Sequence, residues 1–224
     1  GYFTSLQNQR ACDACPTGYF ANTIPSAADK IVRFDRCQAC PRGRYGTQTF
    51  AHNETEGCHD CPPGTFTEKE HRDQVEECDG CPAGRWSDAT GVKKESLCKN
   101  CGAGKHGSTS KGADSKISCV NCKSGKYSEN VGAFGESETC LDCPTGFSQL
   151  HPGRAFCLPC IPGKYQNRVG QELCIDCDEN TVTSAPKQTN CTACDKGENT
   201  KGKGSTVCVA VPPGSYVNAS NMTV

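Results

Sequence analysis

The sequence predicts a small disulfide-rich fold: a linear array of about ten short β-hairpin or turn modules forming an elongated rod, with little regular secondary structure and no helical core. Cysteine accounts for 21 of the 224 residues, a density typical of disulfide scaffolds. The hydrophobic fraction of 34% includes those cysteines, so little apolar surface remains to offset the conformational entropy of one large core. The cysteines also recur with a regular period, which is typical of repeat architectures.

The repeated unit is C-x-x-C-x-x-G-x-aromatic, and residues 157–165 are a clear copy of it. Ten C-x-x-C pairs are followed by a lone cysteine, and the steps between openings are 25, 21, 20, 20, 21 and 21 residues, then 17 four times. The change of period predicts four segments: 1–14, the end of a truncated upstream module; 15–139, long-period modules; 140–210, short-period modules; and 211–224, a degenerate motif with a polar tail.

Glycine stands three residues after the second cysteine of nearly every pair, and the one exception is Asn180. Asparagine is the usual substitute for glycine where the backbone is left-handed, so we expect a turn with positive φ at this position. Two residues further on, most units carry a ring, and we expect each ring to cover the nearest disulfide as a miniature core. The rings are Phe20, Tyr45, Phe66, Trp86, His106, Tyr127, Tyr165 and Tyr216.

The odd number of cysteines favours a ladder, in which the second cysteine of each pair bonds the first of the next. The ladder leaves only Cys12, whose partner we expect upstream of Gly1, since residues 1–3 repeat residues 18–20 and the chain reads as a piece of a longer protein. An interleaved pairing would instead leave Cys208 without a partner. The ladder pairs are Cys15–Cys37, Cys40–Cys58, Cys61–Cys78, Cys81–Cys98, Cys101–Cys119, Cys122–Cys140, Cys143–Cys157, Cys160–Cys174, Cys177–Cys191 and Cys194–Cys208.

Other chemistry is less well supported by the pattern. The cysteine spacing of the middle repeats falls within the structural-zinc range, which keeps zinc as an alternative, although zinc sites would use the pairs two by two and need no constant period. A redox C-x-x-C motif requires one activated pair on a βαβ scaffold. Ten equivalent pairs without that scaffold do not fit such a motif. No nucleophile or phosphate-loop motif occurs, so we expect no enzyme and no cofactor. The net charge is −1, with acidic and basic residues mixed along the chain, so we expect no nucleic-acid partner. The chain has no apolar run long enough to span a bilayer, so we expect no membrane contact within this segment.

Four N-glycosylation sequons occur, and in an oxidised secreted chain they are credible acceptors of N-linked glycans. Asn218 and Asn221 lie in the polar tail, whereas Asn190 is hindered by the neighbouring half-cystine. The predicted acceptors are Asn53, Asn190, Asn218 and Asn221.

The unit C-x-x-C-P-x-G-x-aromatic resembles the ephrin-receptor-like cysteine-rich repeats and, more distantly, the first half of tumour-necrosis-factor-receptor modules. Residues 37–45 and 58–66 match it in full, and the resemblance weakens between Cys174 and Asn199. The resemblance implies an oxidised, elongated, extracellular or cell-surface segment of a large protein; it does not imply one function.

Two functions remain open. The first is a structural glycoprotein segment of a surface stalk, matrix or flagellar-hair-like filament, which would associate with itself or with neighbouring chains. The second is the ligand-binding ectodomain of a cell-surface receptor. For a receptor we would expect a module with an atypical loop, and the long first step, with residues 31–34 (Ile-Val-Arg-Phe), is the one such feature. We expect these residues rather to pack against a neighbouring subunit or module.

Overall fold

The computed structural model describes residues 2–3, 13–24, 33–108 and 111–214. Throughout these residues the sheets have two strands each. This confirms the predicted fold class, a small disulfide-rich array of hairpin modules with little regular secondary structure. The strand pairs are Tyr2–Phe3 with Asp13–Ala14, Tyr19–Ile24 with Arg33–Ala39, Arg44–Tyr45 with His59–Asp60, Thr65–Phe66 with Asp79–Gly80, Arg85–Trp86 with Lys99–Asn100, Lys105–Gly107 with Cys119–Asn121, Lys126–Tyr127 with Leu141–Asp142, Phe147–Ser148 with Leu158–Pro159, Lys164–Tyr165 with Ile175–Asp176, Thr181–Val182 with Thr192–Ala193, and Glu198–Asn199 with Val209–Ala210.

Ten disulfide bonds define ten modules, which we number in chain order from module 1, closed by Cys15–Cys37, to module 10, closed by Cys194–Cys208. The bonds join the pairs of the ladder. Every cysteine from Cys15 to Cys208 is used, so the described part of the chain has neither the interleaved pairing nor paired zinc sites. Cys12 lies outside the described residues.

The two module lengths have a structural cause. In modules 2 to 6 a single helical turn precedes the closing cysteine, whereas modules 7 to 10 lack it. The bonded cysteines are 17 or 18 residues apart in the first group and 14 in the second, and the difference is about the 3.6 residues of one helical turn. The turns are the α-helices Glu54–Gly57 and Glu136–Thr139 and the 3-10 helices Val75–Glu77, Glu95–Leu97 and Lys116–Ser118.

A buried glutamine replaces the helical turn in the first two short modules. In module 8 the Gln166 side-chain amide donates to the Leu173 carbonyl at 2.7 Å, and its oxygen accepts from the Arg168 N–H at 3.1 Å. Gln149 makes the equivalent bonds to Phe156 and His151. Because both glutamines are almost fully buried, these bonds satisfy polar groups that water cannot reach.

The chain divides into two compact units. The first contains Gly1–Cys101, Gly107–Cys119 and Gly132–Phe134, and the second contains Gly102–His106, Val120–Val131 and Gly135–Val224. Modules 2 to 4 and the disulfide of module 5 belong to the first unit, and modules 7 to 10 belong to the second.

Recurring backbone hydrogen bonds join neighbouring modules within each unit, although at Asn180 the N–H donates to the Thr200 side-chain oxygen instead. In the first unit, the Gly64 N–H donates to the Ser87 carbonyl at 2.8 Å, and the Cys81 N–H donates to the Gly64 carbonyl at 2.7 Å. Val211, which replaces a cysteine, still donates to Gly197 at 2.8 Å. The backbone connection between modules therefore persists where the disulfide ladder stops.

The expected left-handed turn is confirmed at the repeated glycine and at its exception. The described glycines of this position have φ between 75° and 87°, and Asn180 has a φ of 62°. A second constraint was not expected. A Cβ atom at Gly64 would lie 2.5 Å from the carbonyl oxygen of Gly112, which belongs to module 5, two modules further on. The glycine is therefore required both by its φ and by the close approach of another backbone.

The rings form small cores, but with the disulfide of the following module. Phe20 of module 1 packs with Cys40, Cys58 and Ala51 of module 2, and Phe66 packs in the same way on the cystine of module 4. The expectation that a ring covers the nearest disulfide is therefore modified for these two rings, since each ring joins one module to the next. His106 is buried, as expected of a packing residue.

We predict that Gly64→Ala destabilises the modules around it by about 2–4 kcal/mol, because the substitution combines left-handed strain with a backbone clash. Amide hydrogen exchange of Gly64, Ser87 and Cys81 measures the local free energy of opening. Gly102→Ala is the matched control, because a Cβ at Gly102 meets no atom within 4 Å. Equal protection in the two variants would contradict the close-approach argument.

Candidate functional site

Each hairpin places the two middle residues of a C-x-x-C motif opposite the residues that follow the repeated glycine. The first middle residue faces the ring position, as in Tyr165↔Ile175, and the second faces the residue before the ring, as in Lys164↔Asp176. The C-x-x-C motif is thus the joint between two modules, and its two variable side chains lie on the module surface.

The second middle residue of a joint lies against a loop of the second module after that joint. A column of residues with φ between 61° and 73° donates an N–H to the carbonyl of the opening cysteine of the preceding module; in module 8, for example, Gly170 donates to Cys143 at 2.8 Å. We call this the loop column. A Cβ at Gly170 would lie 3.0 Å from the Asp142 carboxylate oxygen. The loop column consists of Phe50, His71, Gly91, Gly112, Gly132, Gly153, Gly170, Lys187 and Gly204.

The two positions vary together along the chain. Where the second middle residue is Asp or Asn, the loop column has glycine, and an oxygen of the carboxylate or amide lies within 3.1 Å of the position of the absent Cβ. Where the second middle residue is alanine or proline, as at Ala39 and Pro159, the loop column has His71 and Lys187. The Asp or Asn side chain therefore occupies the space that a side chain of the loop column would need.

Where the residue before the ring is Arg or Lys and the second middle residue is Asp, the two form an ion pair. Arg44 contacts Asp60 at 2.7 Å and Glu54 at 2.9 Å, and Lys164 contacts Asp176 at 2.6 Å. All of these groups are partly exposed, so each pair contributes at most about 1 kcal/mol. The pairs fix side-chain positions more than they stabilise the modules.

Other surface charges show shifted pKa values with local causes. A hydrogen bond from the Asp73 N–H lowers the pKa of Glu77, and the Arg72 guanidinium adds to the effect. A hydrogen bond to Asp178 raises the pKa of Lys203. Both shifts favour the charged form that already exists at neutral pH, as in ordinary ion pairs, whereas a proton-transfer group needs a pKa near the working pH.

The ring face differs between the two units. In modules of the first unit the residue opposite the ring is polar and exposed: His59, Asp79 and Lys99. The Lys99 ammonium lies 4.7 Å from the centre of the Trp86 ring, in a cation–π contact. In modules 6 to 8 of the second unit, the corresponding residues are Leu141, Leu158 and Ile175, each about half exposed. The same hairpin position therefore presents two different chemistries.

The predicted glycan acceptors are accessible where they are described. Asn53 is exposed and caps the helix Glu54–Gly57, its side-chain oxygen accepting from the Glu56 N–H at 2.9 Å. This bond uses the side-chain oxygen and not the amide nitrogen, which is the atom that carries an N-glycan. Asn190 is also exposed, directly before a bonded cysteine. Asn218 and Asn221 lie outside the described residues, and glycosylation at all four asparagines stays a prediction.

A groove of about 540 Å³ lies in the first unit, with Phe66, Lys69, Asp79, Pro82 and Lys111 in its wall. It carries charges of both signs. Among the described residues, no three His, Cys, Asp or Glu side chains are grouped so that they could hold a metal ion. Helices in the same part of the chain are too short and polar to cross a bilayer.

Hairpin modules joined by a disulfide ladder define a cysteine-rich repeat protein of the class that folds in oxidising, extracellular environments. Residues 46–98 match the family model described as tyrosine-protein kinase ephrin type A/B receptor-like. The match covers modules 3 and 4 with most of module 2 and confirms the ephrin-receptor-like resemblance there. No curated protein matches the chain.

Two features of the site were missing from the sequence-based prediction: the loop column and the half-exposed apolar ring face of the second unit. Both have a signal in the sequence. Aligning the modules on their cysteines would show Asp or Asn opposite Gly two modules later, and would show Leu or Ile replacing polar residues between Cys140 and Cys177.

We predict that Gly170→Lys destabilises module 8, and that Asp142→Ala in the same chain restores part of the loss. The alanine frees the space that the lysine needs, as at Pro159 and Lys187. Hydrogen exchange of the backbone amide at position 170 measures the free energy of opening in each variant. A double-mutant cycle on these free energies should give a favourable coupling of about 1–2 kcal/mol between the two substitutions. Additive effects would show that the two positions are independent.

We predict that Asn53 carries an N-glycan when the chain is secreted from a eukaryotic cell, and that Asn190 is glycosylated less completely because of its neighbouring cystine. Peptide mapping before and after removal of the glycans measures the occupancy of each asparagine. Thr55→Ala and Thr192→Ala are matched controls that keep each asparagine and destroy its sequon. An unglycosylated Asn53, or a fuller glycan at Asn190, would contradict the prediction.

Proposed function

We propose that this chain is a structural segment of an extracellular glycoprotein, a stalk, matrix or filament component of the flagellar-hair kind, secreted and associating with copies of itself or with neighbouring chains. The observation that carries the proposal is the uninterrupted continuity of the modules. From module 1 to module 10, each disulfide is followed by the next after two residues, and recurring backbone bonds join neighbouring modules within each of the two units.

This continuity suits a component that transmits tension. A disulfide that closes a loop of about 15 residues contributes about 3 kcal/mol by restricting the unfolded chain. Extension of one module would therefore have to break a covalent bond or the hydrogen bonds to its neighbours. Within the described residues, no inserted domain interrupts the series.

A receptor ectodomain is the second candidate. It is favoured by the family match over residues 46–98 and by the groove beside Phe66 and Lys69 in that stretch. Residues 31–34, the one atypical feature that the sequence offers a receptor, are only partly described, since Ile31 and Val32 lie outside the described residues. A receptor segment would stay monomeric and would bind a different protein.

We predict that the secreted chain self-associates as its concentration rises, because a structural component has to make repeated contacts. Sedimentation velocity over a concentration series and negative-stain electron microscopy measure the association. The reduced and alkylated chain is the control, since it keeps the composition but loses the modules. A chain that stays monomeric up to the highest concentration would favour the receptor instead.

A further inference from the structure

The second unit carries an exposed apolar strip whose residues flank the joints between modules. We define the apolar strip as Leu141, Phe156, Leu158, Leu173 and Ile175, whose exposed fractions lie between 45% and 62%. Phe156 and Leu158 stand on either side of the closing Cys157, and Leu173 and Ile175 stand on either side of Cys174. The strip thus repeats with the 17-residue step of the short modules.

The geometry of the hairpins produces this arrangement. Leu141, Leu158 and Ile175 lie in short strands, whereas Phe156 and Leu173 lie in the bends that precede the closing cysteines, where their carbonyls accept hydrogen bonds from the buried Gln149 and Gln166. Ile175 pairs across its hairpin with Tyr165, and Leu141 pairs with Tyr127. Both tyrosines are half buried, so their exposed edges extend the apolar surface.

The fold does not require these apolar residues. In the first unit, His59, Asp79 and Lys99 occupy the position of Leu158 and Ile175, in hairpins of the same type. Module 9 keeps the same disulfide and hairpin with Asn190 and Thr192 at these positions. Exposed apolar side chains at a repeated position that tolerates polar ones indicate a contact surface.

The periodicity and size of the strip indicate which partner covers it. A partner that meets every apolar pair needs the same 17-residue step, and a second copy of this chain has it. At roughly 150–200 Å² per large side chain, the strip exposes about 500 Å². With the tyrosine edges and a polar rim, it approaches the roughly 800 Å² that each partner contributes to a standard interface.

We propose that the apolar strip of the second unit is the self-association surface, which packs against the same strip of a second copy related by a two-fold axis. The proposal rests on the proposed function and names the surface that function would use. It places the contact at the joints between modules 6 and 7, 7 and 8, and 8 and 9.

Module 9 limits the strip on one side. There the two flanking positions hold Asn190 and Thr192, which with Cys191 form a sequon, and beyond it Val207 and Val209 are again apolar and exposed. A surface with a uniform repeat could slip by one module. In a register shifted by one module, Asn190 and Thr192 of one copy would face an apolar pair of the other copy. This mismatch disfavours the shifted register, with or without a glycan on Asn190.

The test transfers this natural interruption into the strip. The double substitution Leu173→Asn with Ile175→Thr copies the Asn-Cys-Thr sequence of module 9 and keeps every cysteine. The expected result is self-association weakened at least about tenfold, as for the loss of central apolar contacts. Sedimentation of the full secreted chain measures it, before and after enzymatic removal of glycans, which separates steric bulk from polarity.

A matched control adds the same motif outside the strip. Leu97→Asn with Lys99→Thr places Asn-Cys-Thr around Cys98 of module 4, where Leu97 is also exposed, and should leave association unchanged. The reverse change, Asn190→Leu with Thr192→Ile, extends the strip and should strengthen association. A count of free thiols checks that each variant has formed its disulfides.

The outcomes separate the strip from the proposed function. If the wild-type chain associates and the Leu173 and Ile175 variant associates equally well, the strip is not the surface, while the structural function stands. The same holds if the module 4 variant loses association to the same extent, or if extension of the strip weakens it. A wild-type chain that never associates would overturn both.

Discussion

The close contact between a left-handed glycine and a carbonyl two modules away is the constraint on which the array depends. At Gly64 this contact leaves no room for a Cβ atom, and the N–H and carbonyl of the same residue bond to the following module. One residue therefore sets the turn within its module and the approach of the next two. The disulfides close single modules and do not fix how one module packs on the next.

Stability is thus distributed between covalent and non-covalent links that act at different ranges. Each disulfide closes one module, the rings of Phe20 and Phe66 pack on the next cystine, and repeated glycines such as Gly64 approach the module after that. The stability of such an array comes from interactions between neighbouring modules and between modules two apart, and not from one hydrophobic core. This explains how a chain with so few aliphatic residues keeps buried positions for Thr67, Ser87 and Gln166, since their neighbours are ordered backbone groups.

Much of the fold could be predicted from the sequence because the cysteine period, the leftover cysteine and Asn180 each have a local meaning. The single helical turns could not, since three or four residues are too few to show a helical period. Nor could the partner of a ring such as Phe66, because the sequence does not tell how one module stacks on the next. The apolar strip could not be predicted either, because the sequence does not show that Leu158 and Ile175 are exposed and lie beside other exposed apolar residues.

The second middle residue of a C-x-x-C joint restricts which residue the loop column can hold. This restriction limits how modules can be duplicated or lost during evolution. Duplication or loss of one module brings a new loop residue against an old joint. An aspartate at the joint then accepts only a glycine loop, whereas the alanine at Ala39 or the proline at Pro159 coexists with a larger residue. Unequal recombination can therefore lengthen the chain freely only at permissive joints, and the history of the array should be read in steps of two modules.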